Sequence, residues 1–391
     1  MRAVVIGGSV GGLTAALVLR DLGWDVHVFE RSASTLTGRG AGIVVQPATV
    51  RYFLETHVVE LDGVSTSVHC LRYLRRDGRP AHEEPWSYRF TAWNTLYRTL
   101  LGCLEPERYH LGEALVGFHQ DAREVCVSLS SGLRPVCDLL VCADGASSTA
   151  RGLLLPGARP VYAGYVGWRG TVPEAELSTA CLPSAWEAIL YHLMPDSHIL
   201  AYPIPAVDGS VELGRRLVNF VWYRNVMEGP ELEQLMTDRE GVRRDTSMPP
   251  GAVRERFVTE LRRGAEDLLP PVLAEVVVKT PEPFVQPIVD VEVPRMAFGR
   301  VCLLGDAAFV ARPHAAAGTA KAAADAWALA EAVAGGGRDV AAALARWEVG
   351  QLALGRQLVA RVKDLGGRSQ FEGGWHPGDP TLRFGLWGPG M

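Results

Sequence analysis

The chain has 391 residues, 48% of them hydrophobic, and a formal net charge of −5. That is enough apolar material for two packed domains, and no basic stripe is present of the kind a nucleic-acid partner requires. No apolar run approaches the roughly 18–20 residues of a membrane-spanning helix, and residues 4–6 run straight into glycine rather than a signal-peptide core, so a cytoplasmic chain is expected.

The opening stretch MRAVVIGGSVGGLTAALVLRDLGWDVHVFERS reads as strand, turn, helix, strand. Residues 3–6 are a buried strand and Gly7, Gly8, Gly11 and Gly12 make the turn. Residues 13–22 form a helix stopped by Gly23, and 26–29 form a second strand with Glu30 at its carboxyl end. In that β-α-β setting a glycine-rich turn signals dinucleotide binding. Gly7 permits the tight turn, Gly12 close packing of helix on strand, and the helix N-terminus offers free N–H groups and about half a positive charge to a pyrophosphate. Glu30 stands near the spacing of a carboxylate that accepts ribose hydroxyls. Ser9 departs from the pattern, occupying the place of the second glycine in GxGxxG; its hydroxyl either crowds the pyrophosphate or bonds to it. The turn by itself does not choose between NAD and FAD.

Residues 139–143 form another buried strand, followed by ADGASSTAR, in which Asp144 and Gly145 end the strand and Ser148 and Arg151 lie just beyond. The pattern then changes. YAGYVGWRGTV, AILYHLMP, HILAYPIP and LVNFVWYRN have the alternating character of antiparallel strands, with turns at 195–197 and 208–209 and helical stretches at 230–237 and 251–261. The sheet is rich in aromatics with polar tips, which suit a pocket for a flat, partly polar ligand as well as ordinary strand packing. Tyr191, Tyr202 and Trp222 are the candidate pocket residues, and His192 and His198 are candidates for proton removal or for plain structural bonding.

The last motif is GRVCLLGDAAFVARPHAAAGTAKAAADAWALAEAVAGGG. Residues 301–304 form a strand, Gly305 and Asp306 end it, and a loop through Arg312, Pro313 and His314 leads to Gly318 and a helix stopping at 335–337. A lone Asp-Gly pair is an ordinary turn. Three strand-to-loop turns at the carboxyl edge of one sheet imply a long ligand touched at several points. Asp306 can accept from a polyol, and the helix after Gly318 can stabilise a ligand that becomes anionic on reduction. His314 faces the same place as Pro313. Asp339 is placed to cap a final helix carrying Leu344, Trp347, Leu354 and Leu358 at helical spacing, and the tail FEGGWHPGDPTLRFGLWGPGM is turn-rich. The seven cysteines (Cys70, Cys103, Cys126, Cys137, Cys142, Cys181, Cys302) make no CxxC pair and no ligand spacing, so reduced thiols and no metal centre are expected.

GGSVGG…FER, CADGASSTAR and GRVCLLGDAAFVARPHAAAG together resemble the three FAD fingerprints of single-component flavoprotein aromatic hydroxylases of the p-hydroxybenzoate hydroxylase type, over essentially the whole chain. GIVVQP, YAGYVGWRG, AYPIP, LMTD and RPHAAAG resemble members acting on hydroxypyridines. The resemblance implies a fold and a set of roles. The fold is α/β: a Rossmann-like FAD domain (1–69, 94–161, 285–335), an inserted antiparallel-sheet substrate domain (70–93, 162–284), and a C-terminal helix and tail (336–391). Gly7, Ser9, Gly11 and Gly12 would hold the pyrophosphate, Glu30 with Arg31 the adenosine ribose end, and Arg98 of LYRTLL the phosphates. Asp144 would serve FAD and the nicotinamide, and Gly305 with Asp306 the ribityl chain. Pro313, His314 and Gly318 would lie at the ring, with Pro313 and His314 the catalytic candidates. His314 joins Tyr191, Tyr202 and Trp222 in the substrate pocket. Phe309 stands where many relatives have His, and Ala316, Ala317 and Ala320 replace more frequent Gly, Gln and Asn, which bears on the geometry at the flavin ring.

The activity so implied is hydroxylation of an electron-rich phenol- or hydroxypyridine-like ring by NADH or NADPH and O2, through a flavin C4a-hydroperoxide. Only one dinucleotide turn is present, which fits a nicotinamide that visits transiently. Gly38, Gly40 and Gly42 either permit a swinging flavin or shape a loop. A tailoring enzyme for a larger polyketide-type aromatic and a non-redox FAD protein templating a cyclisation stay open, and so does a homodimer. A plain NAD dehydrogenase predicts a colourless protein, and a flavin halogenase lacks its WxWxIP stretch here.

Overall fold

The computed structural model describes residues 1–38, 40–178, 187–337 and 339–391. A six-stranded sheet carries the nucleotide half, in the order Ala297–Phe298, Val301–Leu303, Leu139–Cys142, Arg2–Ile6, Asp25–Glu30, Tyr109–Leu111. All neighbours run parallel except the first pair. Arg2–Ile6 sits centrally and is buried on both faces, which is why it reads as an unbroken apolar run rather than an alternation. The helix Val10–Asp21 starts earlier than residue 13, because Gly11 and Gly12 lie within its first turn. They are accommodated there because that turn packs tightly: a Cβ on Gly11 would come within 2.9 Å of Ala322 Cβ on the helix Gly318–Gly335.

The second sheet has eight strands, ordered Phe284–Asp290, Val161–Pro173, Leu217–Asn225, Ser197–Ile204, Ala188–Met194, Thr66–Leu74, Pro80–Ala92, Gly42–Val44. It is antiparallel apart from one parallel pair, Ala188–Met194 with Thr66–Leu74, so the expected antiparallel sheet is mixed at that one seam. Its two faces differ. One packs Trp168, Phe220 and Trp222 against the helices Glu255–Leu268 and Pro271–Lys279. The other carries Tyr165, Tyr191, Tyr202, Val221 and Tyr223 and faces the nucleotide half. The helix expected at 251–261 is displaced to Glu255–Leu268, since Val258, Leu261 and Ala265 supply its buried stripe.

Register makes the second face a set of rungs. Gly167, Tyr223 and His198 lie side by side, then Arg169, Val221, Leu200 and Tyr191, and on the next rung Thr171, Asn219 and Tyr202. Asp339 caps the 31-residue helix Val340–Gln370 through its carboxylate and the N–H of Ala342. The tail beyond that helix folds back over the second sheet: Tyr88 Oη accepts from Phe384 N, and the Arg361 guanidinium donates to Gly385 O at 2.7 Å. No described helix is long and apolar enough to cross a membrane. Six of the seven cysteines are free thiols, and Cys181 lies outside the described residues.

Candidate functional site

Two cavities of about 190 and 900 Å³ run along the carboxyl edge of the six-stranded sheet and share Ser9, Ala143, Gly145 and Ser147 in their walls. The smaller is lined by Gly7, Glu30, Arg31 and Asp144. The larger begins at Gly11 and Gly12, passes Gly305, Asp306, Pro313 and Gly318, and ends against the second sheet at Tyr191 and Tyr202. The three loops singled out in the sequence therefore border one continuous channel.

The turn at its narrow point has no room to spare. Gly7 has φ +98°, and a Cβ there would lie 2.2 Å from Ala143 O; on Gly12 it would lie 1.9 Å from Gly7 O. Glu30 accepts from the N–H of Gly8 and of Ser32, both at 2.9 Å, so its carboxylate is held at the end of its strand. Ser9 caps the helix by position only, since its hydroxyl makes no capping bond. It stands where the two cavities meet, beside the free N–H groups of the first turn. Arg151 is buried and donates to the carbonyls of Ala146, Ala158 and Ala307, which ties the loop after Asp144 to the loop after Gly305. Asp325 accepts at one oxygen from Gly305 N (2.9 Å) and from Lys321 Nζ (2.6 Å). Asp306 opens onto the cavity, where burial raises its carboxyl above the ordinary range and the Lys321 charge opposes that rise. The N-terminal turn of Gly318–Gly335 points at the same space. A carboxylate at Glu30, free N–H groups at the turn, a second carboxylate at Asp306 and a helix terminus beyond fit a ribose, a pyrophosphate, a polyol and an electron-accepting ring, in that order along the channel, which is the order of FAD.

At the wide end His314 is buried in the cavity wall, its Nε2 2.7 Å from the Tyr165 hydroxyl. Its Nδ1 is buried without a partner. Burial pulls the ring down to about 3, helped by the charge of Arg312, so the imidazole is neutral. Arg312 is itself bonded to Asp290 at 2.7 Å. His198 lines the same wall, is bonded to Ser369 Oγ at 2.6 Å, and is held well below its usual range by burial, with the neighbouring imidazole of His314 disfavouring a second proton.

Tyr191, Tyr202, Pro313 and His314 are thus brought together. Trp222 is not: alternation puts it on the far face of the sheet, its Nε1 donating to Ser197 Oγ at 3.0 Å. Arg98 is also outside both cavities. On the helix Trp93–Gly102 the inward face is Leu96, Tyr97 and Leu100, which leaves Arg98 exposed on the opposite side. His192 is a structural histidine, its Nδ1 2.8 Å from Leu74 O. Phe309 faces away from the channel, packed on Gly355 beneath the Lys321 ammonium, and Ala320 packs with Leu358 and Val362. Ala316 and Ala317 do line the cavity.

Sequence reasoning missed Trp375, Phe384 and Arg169. Trp375 stacks on His198 with ring centroids 4.2 Å apart, and both it and Phe384 close the cavity from the tail. A turn-rich tail has no periodicity to mark those residues. Arg169 had a signal, as a charged residue at an inward position of an apolar strand.

A family model described as FAD binding domain-like matches residues 162–290. The chain is 42% identical to the 2,6-dihydroxypyridine 3-monooxygenase of Paenarthrobacter nicotinovorans, over 98% of this chain and 96% of the relative. It is 29% identical to an FAD-dependent urate hydroxylase of Klebsiella pneumoniae, covering 93% and 89%. Among solved structures, 2,6-dihydroxypyridine-3-hydroxylase from Arthrobacter nicotinovorans superposes with a TM-score of 0.92 at 40% identity, covering 98% and 96%. Klebsiella pneumoniae HpxO complexed with FAD and uric acid superposes at 0.77 with 24% identity, covering 95% and 89%, and shares the fold.

Proposed function

This chain belongs to the FAD-dependent aromatic hydroxylases, and from that membership we propose that its substrate is a small hydroxypyridine. It is a flavoprotein monooxygenase that uses NAD(P)H and O2 on an electron-rich ring. The observation that supports the substrate is the neutral His314, whose unpartnered Nδ1 sits in an aromatic cavity end beyond Pro313. A relative acting on 2,6-dihydroxypyridine at 42% identity supports it from outside. The two relatives named above hydroxylate their substrates, which favours hydroxylation over a cyclisation template.

Bound FAD supplies the redox chemistry, taking reducing equivalents from NAD(P)H and delivering one oxygen atom of O2 to the ring. The protein supplies placement. Gly7, Ser9, Gly11 and Gly12 receive the pyrophosphate, Glu30 and Arg31 the ribose end, Asp144 and Gly305 the loop edges, Asp306 the ribityl chain, and the turn at Gly318 the ring. FAD is assigned to the six-stranded sheet and its loops and the substrate to the eight-stranded sheet, joined by the tail; that second sheet takes in Gly42–Val44, Thr66–Leu74 and Phe284–Asp290, so the boundaries expected at 69/70 and 284/285 shift. In the tautomer protonated at Nε2, His314 donates to the Tyr165 hydroxyl and its Nδ1 is an acceptor for a hydroxyl on the substrate ring. That hydrogen bond, accepted by an imidazole too weakly basic to take the proton itself, enriches the substrate ring carbons toward an electrophilic oxygen. Tyr191, Tyr202, Trp375 and Phe384 exclude water from the same space.

The test is NAD(P)H oxidation by the yellow holoenzyme with dihydroxypyridines, phenols and polyketide phenols. Turnover with a dihydroxypyridine and a product heavier by one oxygen is the expected result. Coupled turnover only with larger phenols would overturn the substrate assignment.

A further inference from the structure

Arg169 enters the cavity from Val161–Pro173 and finds no counter-charge there. Its Nε is buried without a hydrogen-bond partner, and no ion pair reaches its guanidinium among the described residues. The other cations of the wall are accounted for. Arg312 is bonded to Asp290, Arg151 is spread over backbone carbonyls, and Arg159 is exposed. The acids of the wall lie elsewhere, Asp306 in the loop that ends the strand Val301–Leu303 and Asp245 in an exposed loop, 3.4 Å from Arg243.

The surroundings are built for a flat ring with a charge at one edge. Val221, Leu200 and Tyr191 continue the Arg169 rung as a smooth apolar floor. Gly167, two residues earlier, adds no side chain beside the guanidinium. On the next rung Asn219 lies behind the cavity lining, fully buried, with its Oδ1 accepting from Gly42 N at 3.0 Å. The Tyr202 and Tyr223 hydroxyls both feel the Arg169 charge, and the Tyr223 ring lies 4.7 Å from that of His314. An orphaned cation in the cavity wall leaves this floor unsatisfied until a ligand supplies an oxyanion.

We propose that Arg169 forms an oxyanion subsite that takes an ionised oxygen substituent of the aromatic substrate, so that the ring is selected as its anion. This rests on the hydroxylase reading above and adds the charge state that the site accepts. Arg169 is then the specificity-determining residue, and the guanidinium supplies geometry as well as charge because two parallel N–H groups fit two lone pairs or two oxygens.

The test uses the FAD-loaded enzyme and 4-nitrophenol, whose own absorbance reports whether the bound molecule is ionised. In the natural protein the bound probe titrates at least one pH unit below the free probe, a tenfold or greater preference for the anion. R169Q abolishes that preference, and R169K keeps part of it, with FAD content and flavin spectrum unchanged in both. An unchanged preference in R169Q and R169K overturns the proposal. So does loss of FAD with the preference intact, which would give Arg169 to the flavin. Should 4-nitrophenol fail to bind, 2,6-dihydroxypyridine and its di-O-methyl ether are compared by flavin difference spectra, and equal discrimination in natural protein and R169Q overturns it. Anion preference without turnover of any hydroxypyridine would remove the substrate reading and support the subsite.

Discussion

The Tyr165 hydroxyl holds one nitrogen of His314 at 2.7 Å while the other nitrogen of the same ring is buried and unpartnered. A buried polar atom left open beside a cavity is costly unless a ligand completes it. A tyrosine hydroxyl both donates and accepts, so the role assigned to His314 belongs to the tautomer protonated at Nε2, in which Nδ1 accepts. H314Q is expected to lower kcat by about 10²-fold, from loss of the acceptor that orients and polarises the ring hydroxyl, and Y165F by about tenfold. Both are expected to keep FAD. Single-turnover kinetics with the reduced enzyme check this, and an unchanged hydroxylation rate in H314Q would remove the assigned role.

The same burial fixes a pH dependence of stability. His314 is lowered to about 3 from 6.5, and His198 and His192 are lowered too. In the unfolded chain all three titrate near 6.5. Below that pH the unfolded state binds more protons than the folded one, so unfolding free energy rises with pH through this window and levels off above it. Acidification from pH 7 to 5 is therefore expected to destabilise the protein by on the order of 1–2 kcal/mol through His314, with His198 and His192 acting in the same direction. Urea unfolding at a series of pH values measures the slope, which H314Q should reduce. An equal slope in H314Q would contradict the buried neutral ring.

How much of this was visible in the sequence depends on how local the determinant is. The dinucleotide turn, Asp144 and Gly305–Asp306 are strand ends, and a strand followed by Gly or Asp is a short-range signal. Tyr191 and Tyr202 were chosen, together with Trp222, as aromatics with polar tips; alternation puts Trp222 on the far face, and which face is inward is set by the partner layer, not by the strand. Arg98 lies outside both cavities for a similar reason, since the inward stripe of its helix is Leu96, Tyr97 and Leu100. Trp375 and Phe384 reach the cavity only because the tail doubles back over a sheet formed nearly 200 residues earlier, a long-range contact with no local trace.

Trp375 gives the third expectation. It stacks on His198 at 4.2 Å, meets His314 edge-on at 5.7 Å, and is anchored by Nε1 donating to Leu365 O at 2.8 Å. Removing its ring opens the tail side of the cavity to water without touching the nucleotide loops. W375A is expected to bind FAD normally and to divert at least half of the NAD(P)H consumed into hydrogen peroxide. Peroxide yield per NAD(P)H checks it, and tight coupling in W375A would show the tail to be a spectator.

The nucleotide turn offers a steric test. G12A puts a methyl carbon 1.9 Å from Gly7 O, so the turn must move. Apo protein is expected to lose about 1–3 kcal/mol of stability, as for overpacking, and FAD is expected to wash out on gel filtration. D306A should keep the fold and weaken FAD by tenfold or more, because an open carboxylate facing the cavity is lost while no core contact is. Retention of FAD at natural affinity in D306A would place the ribityl chain elsewhere.

The Lys321–Asp325 pair separates stability from cofactor binding. Both side chains are almost fully buried, and the Lys321 ammonium also lies 4.7 Å over the Phe309 ring. Removing one partner strands a buried charge, so K321M or D325L alone is expected to cost about 3–5 kcal/mol. Replacing both by apolar groups is often nearly neutral, so K321M/D325L should recover most of the loss. The pair has a second task that this double variant does not restore: Asp325 accepts the N–H of Gly305, the residue that turns Asp306 into the channel. K321M/D325N keeps an oxygen for that N–H, whereas K321M/D325L does not. The two double variants are expected to unfold at similar temperatures, with FAD held at least fivefold more weakly in K321M/D325L. Flavin fluorescence titration of the apo forms decides it, and equal FAD affinities would mean that the loop at Gly305 holds its shape without Asp325.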